Sequence, residues 1–323
     1  GLAGGFAGAM VGQLIAGMGS GASNVPVMGL IASWVTPRRM GAASGAMVAG
    51  SSVGLIVVGS AAPAILSANE DDGWRICWFI FGGMAMLLSG VAYFLLRNSP
   101  SEKGVGRLGA QAMDPVPTIH SRTLEWARVY RSRRVWQLGL MYVAFGLSYI
   151  VFMTFFRQQL TDEGGYTESE AGRLYMIMGW VSLLCGIWGL VSDRIGRKRA
   201  LAVVYLVHAA AFSIFGLWAT SAGFTLSVVL FGLTAWSIPA IMTATCGDMV
   251  GSRLAPAALG FITVFFGVGQ ALGPIIAGAM ADASGSLLSA YVFAGGVALS
   301  GAIGALCLKP AGAGGATNGE HAK

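Results

Sequence analysis

The feature that most constrains the fold of this chain is a series of apolar stretches, each about 20 residues long. A helix of that length crosses the ~30 Å hydrocarbon core of a bilayer, so each stretch predicts a transmembrane helix. Residues 1–9 are also apolar, and we expect them to be the end of one more helix. The predicted class is therefore an all-α polytopic membrane protein. Its nine complete spans are 13–34, 42–66, 74–96, 135–160, 169–191, 200–219, 222–246, 257–281 and 286–308.

The composition supports this class and excludes others. Hydrophobic residues make up 55% of the chain and charged residues only 11%, whereas soluble domains carry roughly a quarter charged residues. The four cysteines all fall within predicted spans, which predicts free thiols rather than a disulfide scaffold. The sequence contains no phosphate-binding loop, metal-ligand cluster or nucleophile constellation. We therefore expect no metal, no cofactor and no enzymatic activity.

The distribution of basic residues predicts the orientation. All but three of the 20 Lys and Arg residues lie in one set of loops, and the exceptions are Arg75, Arg157 and Arg173. Basic loops mark the cytoplasmic side of a membrane, so the central loop and the C-terminus are expected to be cytoplasmic. The membrane is expected to be the plasma membrane, which is the inner membrane in a bacterium. This topology explains the net charge of +6 without a nucleic-acid partner.

One long polar loop divides the helices into two groups. Within that loop, Ser121–Arg134 alternates arginines with Leu124, Trp126 and Tyr130, which predicts a short amphipathic helix on the inner membrane surface. A plain linker and a lipid-binding regulatory segment are both compatible with this pattern. The predicted domains are an N-terminal bundle (1–96), the cytoplasmic central loop (97–134), a six-helix C-terminal bundle (135–308) and a disordered cytoplasmic tail (309–323).

The two helix groups resemble each other at a fixed offset of 215 residues. Such an ordered series of matches predicts two similar halves, a plan that secondary transporters use with a binding site between the halves. If the halves are equivalent, two to three helices are expected to precede Gly1. The matching pairs include Gly17 with Gly232, Arg38 with Arg253, Gly45 with Gly260, and Gly54 with Gly269.

The segment Gly189-Leu-Val-Ser-Asp193-Arg194-Ile-Gly196-Arg197-Lys198-Arg199 resembles the G-x-L-x-D-R-x-G-R-[KR]-[KR] loop of the major facilitator superfamily. Members of that superfamily are twelve-helix transporters with two six-helix halves. The resemblance implies that the visible spans are helices 4 to 12. It also implies that this loop, between helices 8 and 9, is a gate latch that closes the cytoplasmic face.

The chemistry of this loop is compatible with a latch. Gly189 and Gly196 permit close helix approach and a tight turn. Asp193 can accept hydrogen bonds at the positive end of a helix, and the start of 257–281 is the expected partner. Arg194, Arg197 and Lys198 supply cations, and Asp248 is a candidate latch partner. A basic loop that only fixes topology is the alternative.

Other segments resemble the monocarboxylate-porter-like branch: Gly17-Met-Gly19, Trp34-Val-Thr-Pro-Arg38-Arg39 and Gly73-Trp74-Arg75. That resemblance implies a monocarboxylate or related organic anion as solute, carried by a monomer in symport with a proton. No carboxylate lies in the middle of a span, however. The proton site is therefore in the helices expected before Gly1, or transport is uncoupled.

The superfamily fold lines its cavity with helices 4, 5, 7, 8, 10 and 11 of this chain, so their polar residues are candidate solute contacts. Thr154 and Gln158 are four apart and share a helix face. Arg157 and Arg173 suit a carboxylate, but both lie near outer helix ends, where an interfacial anchor is the alternative. The candidates are Asn24, Tyr149, Thr154, Arg157, Gln158, Arg173, Trp236 and Gln270.

The sequence therefore predicts a secondary transporter that moves a small organic anion across the lipid bilayer by alternating access. A transporter for a neutral or cationic solute is one alternative. A receptor or sensor on the same scaffold is another, although the chain shows no appended signalling domain. Saturable solute flux distinguishes a transporter from a receptor.

Overall fold

The computed structural model describes residues 1–36, 39–69, 71–110, 126–251 and 254–308. These residues are almost entirely helical, which confirms the all-α prediction. The α-helices in chain order are α1 (Phe6–Trp34), α2 (Met40–Ala68), α3 (Gly73–Leu95), α4 (Trp126–Tyr130), α5 (Arg133–Gln158), α6 (Glu168–Ser182), α7 (Ile187–Ile195), α8 (Arg197–Leu217), α9 (Ser221–Thr234), α10 (Ser237–Val250), α11 (Ala255–Ser284) and α12 (Leu288–Cys307).

Within the described part of the chain, eight helical segments are long and apolar enough to cross a membrane. They coincide with the predicted spans from 42–66 to 286–308, which confirms a multi-pass membrane protein. The predicted span 13–34 corresponds to α1, a helix of 29 residues without a charged side chain. The eight segments are Ala46–Ala68, Gly73–Leu95, Arg133–Glu163, Glu168–Ile195, Arg197–Leu217, Ser221–Val250, Ala255–Ser284 and Leu288–Cys307.

The N-terminal end of α1 differs from the sequence expectation. Residues 1–9 were expected to end a separate helix, but α1 already begins at Phe6. Residues 6–9 therefore continue directly into the span that the sequence predicted from residue 13. The glycines at positions 8 and 12 do not interrupt the helix, because a glycine lowers helix stability without blocking the backbone hydrogen bonds.

Two predicted spans are interrupted helices. The span predicted at 169–191 consists of α6, a 3-10 turn at Leu183–Gly186, and α7. The span predicted at 222–246 consists of α9 and α10, separated at Ala235–Trp236. Pro239 explains the second break, because it has no N–H to donate four residues back and its ring collides with that carbonyl.

The chain contacts define two compact units, one containing Gly1–Ser121 and Arg157–Gly186, the other Arg122–Phe156 and Ile187–Lys323. The first unit therefore includes α6, which the sequence assigned to the C-terminal bundle. The predicted domains rest on the internal repeat rather than on these contacts, and they stay a prediction.

In the first unit, α2 packs against α6 through glycines. A Cβ atom at Gly172 would lie 2.3 Å from Pro63 Cγ, and one at Gly59 would lie 2.7 Å from the Met176 backbone nitrogen. The two backbones approach this closely because neither glycine has a side chain, as is common where membrane helices pack.

The second unit has an aromatic core between α5, α8 and α9. The ring of Phe152 lies 5.1 Å from Phe212 and 4.7 Å from Phe231, and all three side chains are fully buried. Tyr205 on α8 donates a hydrogen bond to the Met141 carbonyl on α5, at 2.6 Å. This core fixes the position of α5, on which several candidate solute contacts lie.

The predicted amphipathic segment of the central loop is described only from Trp126 onward. There α4 is one helical turn, with Val129 buried and the ring of Tyr130 packed 5.0 Å from Phe261 of α11. Its location on the membrane surface stays a prediction. Residues 111–125 and the tail 309–323 lie outside the described residues.

Candidate solute site and inner loop

Three aromatic side chains from α5, α11 and the α9–α10 break come together in the second unit. Tyr149 contacts Trp236 edge to face, with ring centroids 6.0 Å apart, and lies 6.4 Å from Phe266. All three side chains are half-buried. We call Tyr149, Trp236 and Phe266 the aromatic wall. Because Tyr and Trp have a polar tip on an apolar ring, this wall can contact both ends of a solute with apolar and polar parts.

The sequence predicted Tyr149 and Trp236 separately, and the structure brings them together. Gln270 lies one helical turn after Phe266 on α11 and is half-buried. Phe266 was missed by the sequence reasoning. Its position four residues before Gln270 is the signal that could have found it, since residues at that spacing share a helix face.

Thr154 and Gln158 on α5 are both exposed, as expected for two residues four apart on one face. Phe156 lies between them in the chain but on another face of α5. Phe156 points into the core, with its ring stacked 5.2 Å from Phe215, so it is not available to a solute.

Arg157 has a carboxylate partner within the first unit. Its Nε donates to Oε2 of Glu168 at 2.7 Å, and its second guanidinium nitrogen donates to Oε1 of the same carboxylate. Such a two-point pair satisfies the forked donors of arginine. Glu168 is the first residue of α6, so the pair connects that helix to the C-terminal end of α5 across the intervening turn. The negative charge of Glu168 offsets the cation predicted to attract an anion.

Arg173 is exposed in the second turn of α6. The start of that helix is fixed by a capping box, in which Thr167 Oγ1 accepts from the Glu170 N–H at 3.3 Å. In return, Oε2 of Glu170 accepts from the Thr167 N–H at 2.9 Å. Asn24 lies in α1, but its side chain is outside the described residues.

The segment Gly189–Arg199, which we call the inner loop because the sequence predicts it on the cytoplasmic side, turns sharply at Gly196. This residue has a φ of +88° between the end of α7 and the start of α8. That conformation favours glycine, because a Cβ is strained at positive φ. The second glycine of the predicted motif is therefore required by the turn.

Arg197 is the centre of a polar network at this turn. Its guanidinium lies 2.5 Å from Oδ1 of Asp193, donates to Oδ2 of Asp248 at 3.0 Å, and donates to the Ser192 hydroxyl at 2.5 Å. We call Asp193, Arg197 and Asp248 the inner triad. The triad connects the ends of α7 and α10 to the first residue of α8. Asp193 was expected at the start of α11, and its ionic partner is instead Arg197.

The other motif residues surround the triad. Gly189 lies in α7 and its carbonyl accepts from the Ser192 hydroxyl at 2.8 Å. Arg194 is exposed, and Lys198 is half-buried in the first turn of α8. Their latch role stays a prediction.

Apolar spans, interrupted helices and a basic inner loop together define a polytopic membrane protein of the transporter class. Residues 1–306 match the family model described as "Uncharacterised MFS-type transporter YbfB". The chain belongs to this family of MFS-type transporters, which confirms the superfamily predicted from the 189–199 loop.

Curated relatives with similar sequences are transporters by name. The chain is 22% identical over 317 residues to the hexuronate transporter of Bacillus subtilis, covering 92% of this chain and 72% of that protein. It is 22% identical over 329 residues to the probable sulfoacetate transporter SauU of Cupriavidus necator, covering 95% and 74%. It is 23% identical over 313 residues to human monocarboxylate transporter 12, covering 87% of this chain and 58% of that protein. These findings support a solute transporter of the monocarboxylate-porter-like branch.

Proposed function

We propose that this transporter carries a small organic anion bearing a carboxylate, by alternating access. The observation that carries the proposal is the chemistry shared by the relatives' names: a hexuronate, sulfoacetate and monocarboxylates are all carboxylates. The relatives differ in the rest of the solute, so their names do not select one compound.

The aromatic wall supports a solute with an apolar part beside its polar groups. The faces of Tyr149 and Phe266 offer apolar contact, and the indole N–H of Trp236 offers a hydrogen bond. Gln270 adds an amide on the same helix as Phe266. Sites for small molecules commonly combine mostly apolar walls with a few placed polar groups.

Orientation and location form the second part of the proposal. The basic loops support a cytoplasmic central loop and C-terminus. The proposed location is the plasma membrane, and the proposed acting form is a monomer. Symport with a proton is proposed from the branch resemblance. An inward proton gradient is then expected to accelerate uptake in vesicles. An uptake rate that does not change with the gradient would show that transport is uncoupled from protons.

Uptake by reconstituted vesicles tests the function directly. We expect saturable uptake of at least one of labelled glucuronate, sulfoacetate and lactate, with glucose and a quaternary ammonium ion as neutral and cationic controls. Uptake of a control solute alone would contradict the anion proposal. Saturable binding of an anion without flux would favour the receptor alternative.

A further inference from the structure

Two buried hydrogen-bond donors at the α9–α10 break have no acceptor among the described residues. Ser237 is the first residue of α10, its side chain is 0% exposed, and its hydroxyl oxygen has no hydrogen-bond partner. The indole Nε1 of the preceding residue, Trp236, is also buried and without a partner. Buried polar groups in proteins almost always have partners, so two adjacent exceptions indicate a group that the break receives from elsewhere.

The side chains without a partner at the break, those of Trp236 and Ser237, can both donate a hydrogen bond. Interrupting the helix frees carbonyls at the end of α9, and the Leu233 carbonyl accepts a hydrogen bond from Trp188 Nε1 at 2.9 Å. At the start of α10, the N–H groups of Ser237 and Ile238 have no carbonyl one turn before them in their own helix. Pro239 has no N–H, and the Ala240 N–H donates to the Trp236 carbonyl at 3.4 Å. Pro239 also leaves the Ala235 carbonyl without its usual donor, but the two buried side chains and the first N–H groups of α10 can all donate to an acceptor.

The charge around the break indicates what kind of acceptor fits. The only ionisable acidic or basic residue in α9 and α10 is Asp248, eleven positions after Ser237 and paired with Arg197. The N-terminus of a 14-residue helix has a partial positive charge that favours an anion. Because neither α9 nor α10 has a carboxylate at this end of α10, an external oxyanion would complete the site.

We propose that the α9–α10 break binds the carboxylate of the transported solute. The Ser237 hydroxyl and the Trp236 indole N–H donate to its oxygens, and the N-terminus of α10 stabilises its charge. The apolar part of the solute then lies against the aromatic wall, because Trp236 belongs to both. This inference rests on the proposed function. It assigns recognition of the anion to neutral donors, while Arg157 pairs with Glu168.

Ligand-induced thermal stabilisation of the purified protein tests the assignment, using glucuronate, sulfoacetate and lactate as probes. A ligand that binds the native state raises the melting midpoint by mass action. For Ser237→Ala and Trp236→Phe, we expect the half-saturating concentration of the stabilising anion to rise about tenfold, the effect of one lost hydrogen bond to a charged group. The matched control is Ser148→Ala, since Ser148 is also fully buried but donates to the Ala144 carbonyl at 2.7 Å.

Each outcome separates the inference from the proposed function. If both variants are half-saturated at the same anion concentration as the wild type, the inference is overturned and the proposed function is not. No stabilisation of the wild type by any of the three anions overturns the proposed function and the inference with it. A variant that lowers only the midpoint without ligand has a structural role, which also overturns the inference for that residue. If the break recognises the negative charge, the neutral amide of lactate should bind the wild type only weakly, and it should bind both variants with that same weak affinity.

Discussion

The pair between Arg157 and Glu168 decides between two roles for Arg157, attraction of a solute anion or anchoring of a helix end. A guanidinium held by a carboxylate at two points is partly neutralised, so its attraction for a solute anion is reduced. Both side chains are substantially exposed, at 63% and 39%. Exposed pairs contribute only about 0.2–1 kcal/mol to stability. The geometry favours an anchor between the end of α5 and the start of α6.

A double-mutant cycle on this pair tests that role. We expect Arg157→Gln and Glu168→Gln each to lower the melting midpoint slightly, and the double variant to lower it no further than either alone. Uptake of an anion and of its neutral analogue should fall by the same factor. If Arg157→Gln instead lowers uptake of the anion and not of its neutral analogue, Arg157 attracts the solute as the sequence suggested. Glu168 then holds the arginine side chain in place.

At the scale of helices, glycines determine how closely α2 and α6 pack. A methyl group at Gly59 would lie 2.7 Å from the Met176 nitrogen and 2.8 Å from the Gly172 carbonyl oxygen. These are backbone atoms, which cannot rotate away as a side chain could. Small residues at such an interface are what allow membrane helices to gain van der Waals contact.

Gly59→Ala should therefore destabilise the protein by about 1–3 kcal/mol, the range for overpacking a close contact. Gly54→Ala is the matched control, because Gly54 lies in the same helix with nothing within 4 Å of an added Cβ. Thermal unfolding of the two variants measures the difference. A Gly59→Ala protein as stable as the control would show that α2 and α6 can separate at no cost.

The spans could be predicted from the sequence because hydrocarbon thickness sets helix length, which is a local constraint. The interruption at Trp236 was harder to locate. Pro239 is the sequence signal for this interruption. The break itself lies three residues earlier, because the proline's missing hydrogen bond affects the turn that precedes it. The 3-10 turn at Leu183–Gly186 had no comparable sequence signal.

The sequence predicted which residues are candidates for the site, but it did not predict which of them contact each other. Tyr149 and Trp236 were predicted separately as solute contacts, and only the packing of α5 against the α9–α10 break brings their rings together. Glu168 was missed as the partner of Arg157 because eleven residues and a turn separate the two. Asp193 and Arg197 are four residues apart, a spacing that pairs side chains within one helix. Here Gly196 turns the chain between α7 and α8, so the pair also depends on how these two helices meet.

At the scale of the whole molecule, charged residues concentrate in the loops and leave the spans nearly free of ionisable groups. In the inner triad, the basic residue Arg197 has two acidic partners. Because Arg197 contacts both Asp193 and Asp248, it connects the end of α7 to the last turns of α10. Loss of either carboxylate should loosen that inner end.

A native cysteine reports this loosening. Cys246 lies two residues before Asp248 and is 1% exposed, so a thiol reagent reaches it only when the end of α10 opens. In a background where the other cysteines are replaced by alanine, we expect Asp248→Asn and Asp193→Asn to accelerate labelling of Cys246 about fivefold, the effect of losing one partly exposed ion pair. Asp282→Asn, an exposed acidic residue near the opposite end of α11, should leave the rate unchanged. Unchanged labelling in folded Asp248→Asn protein would show that the inner triad does not hold this face closed, and the loop would then serve topology alone.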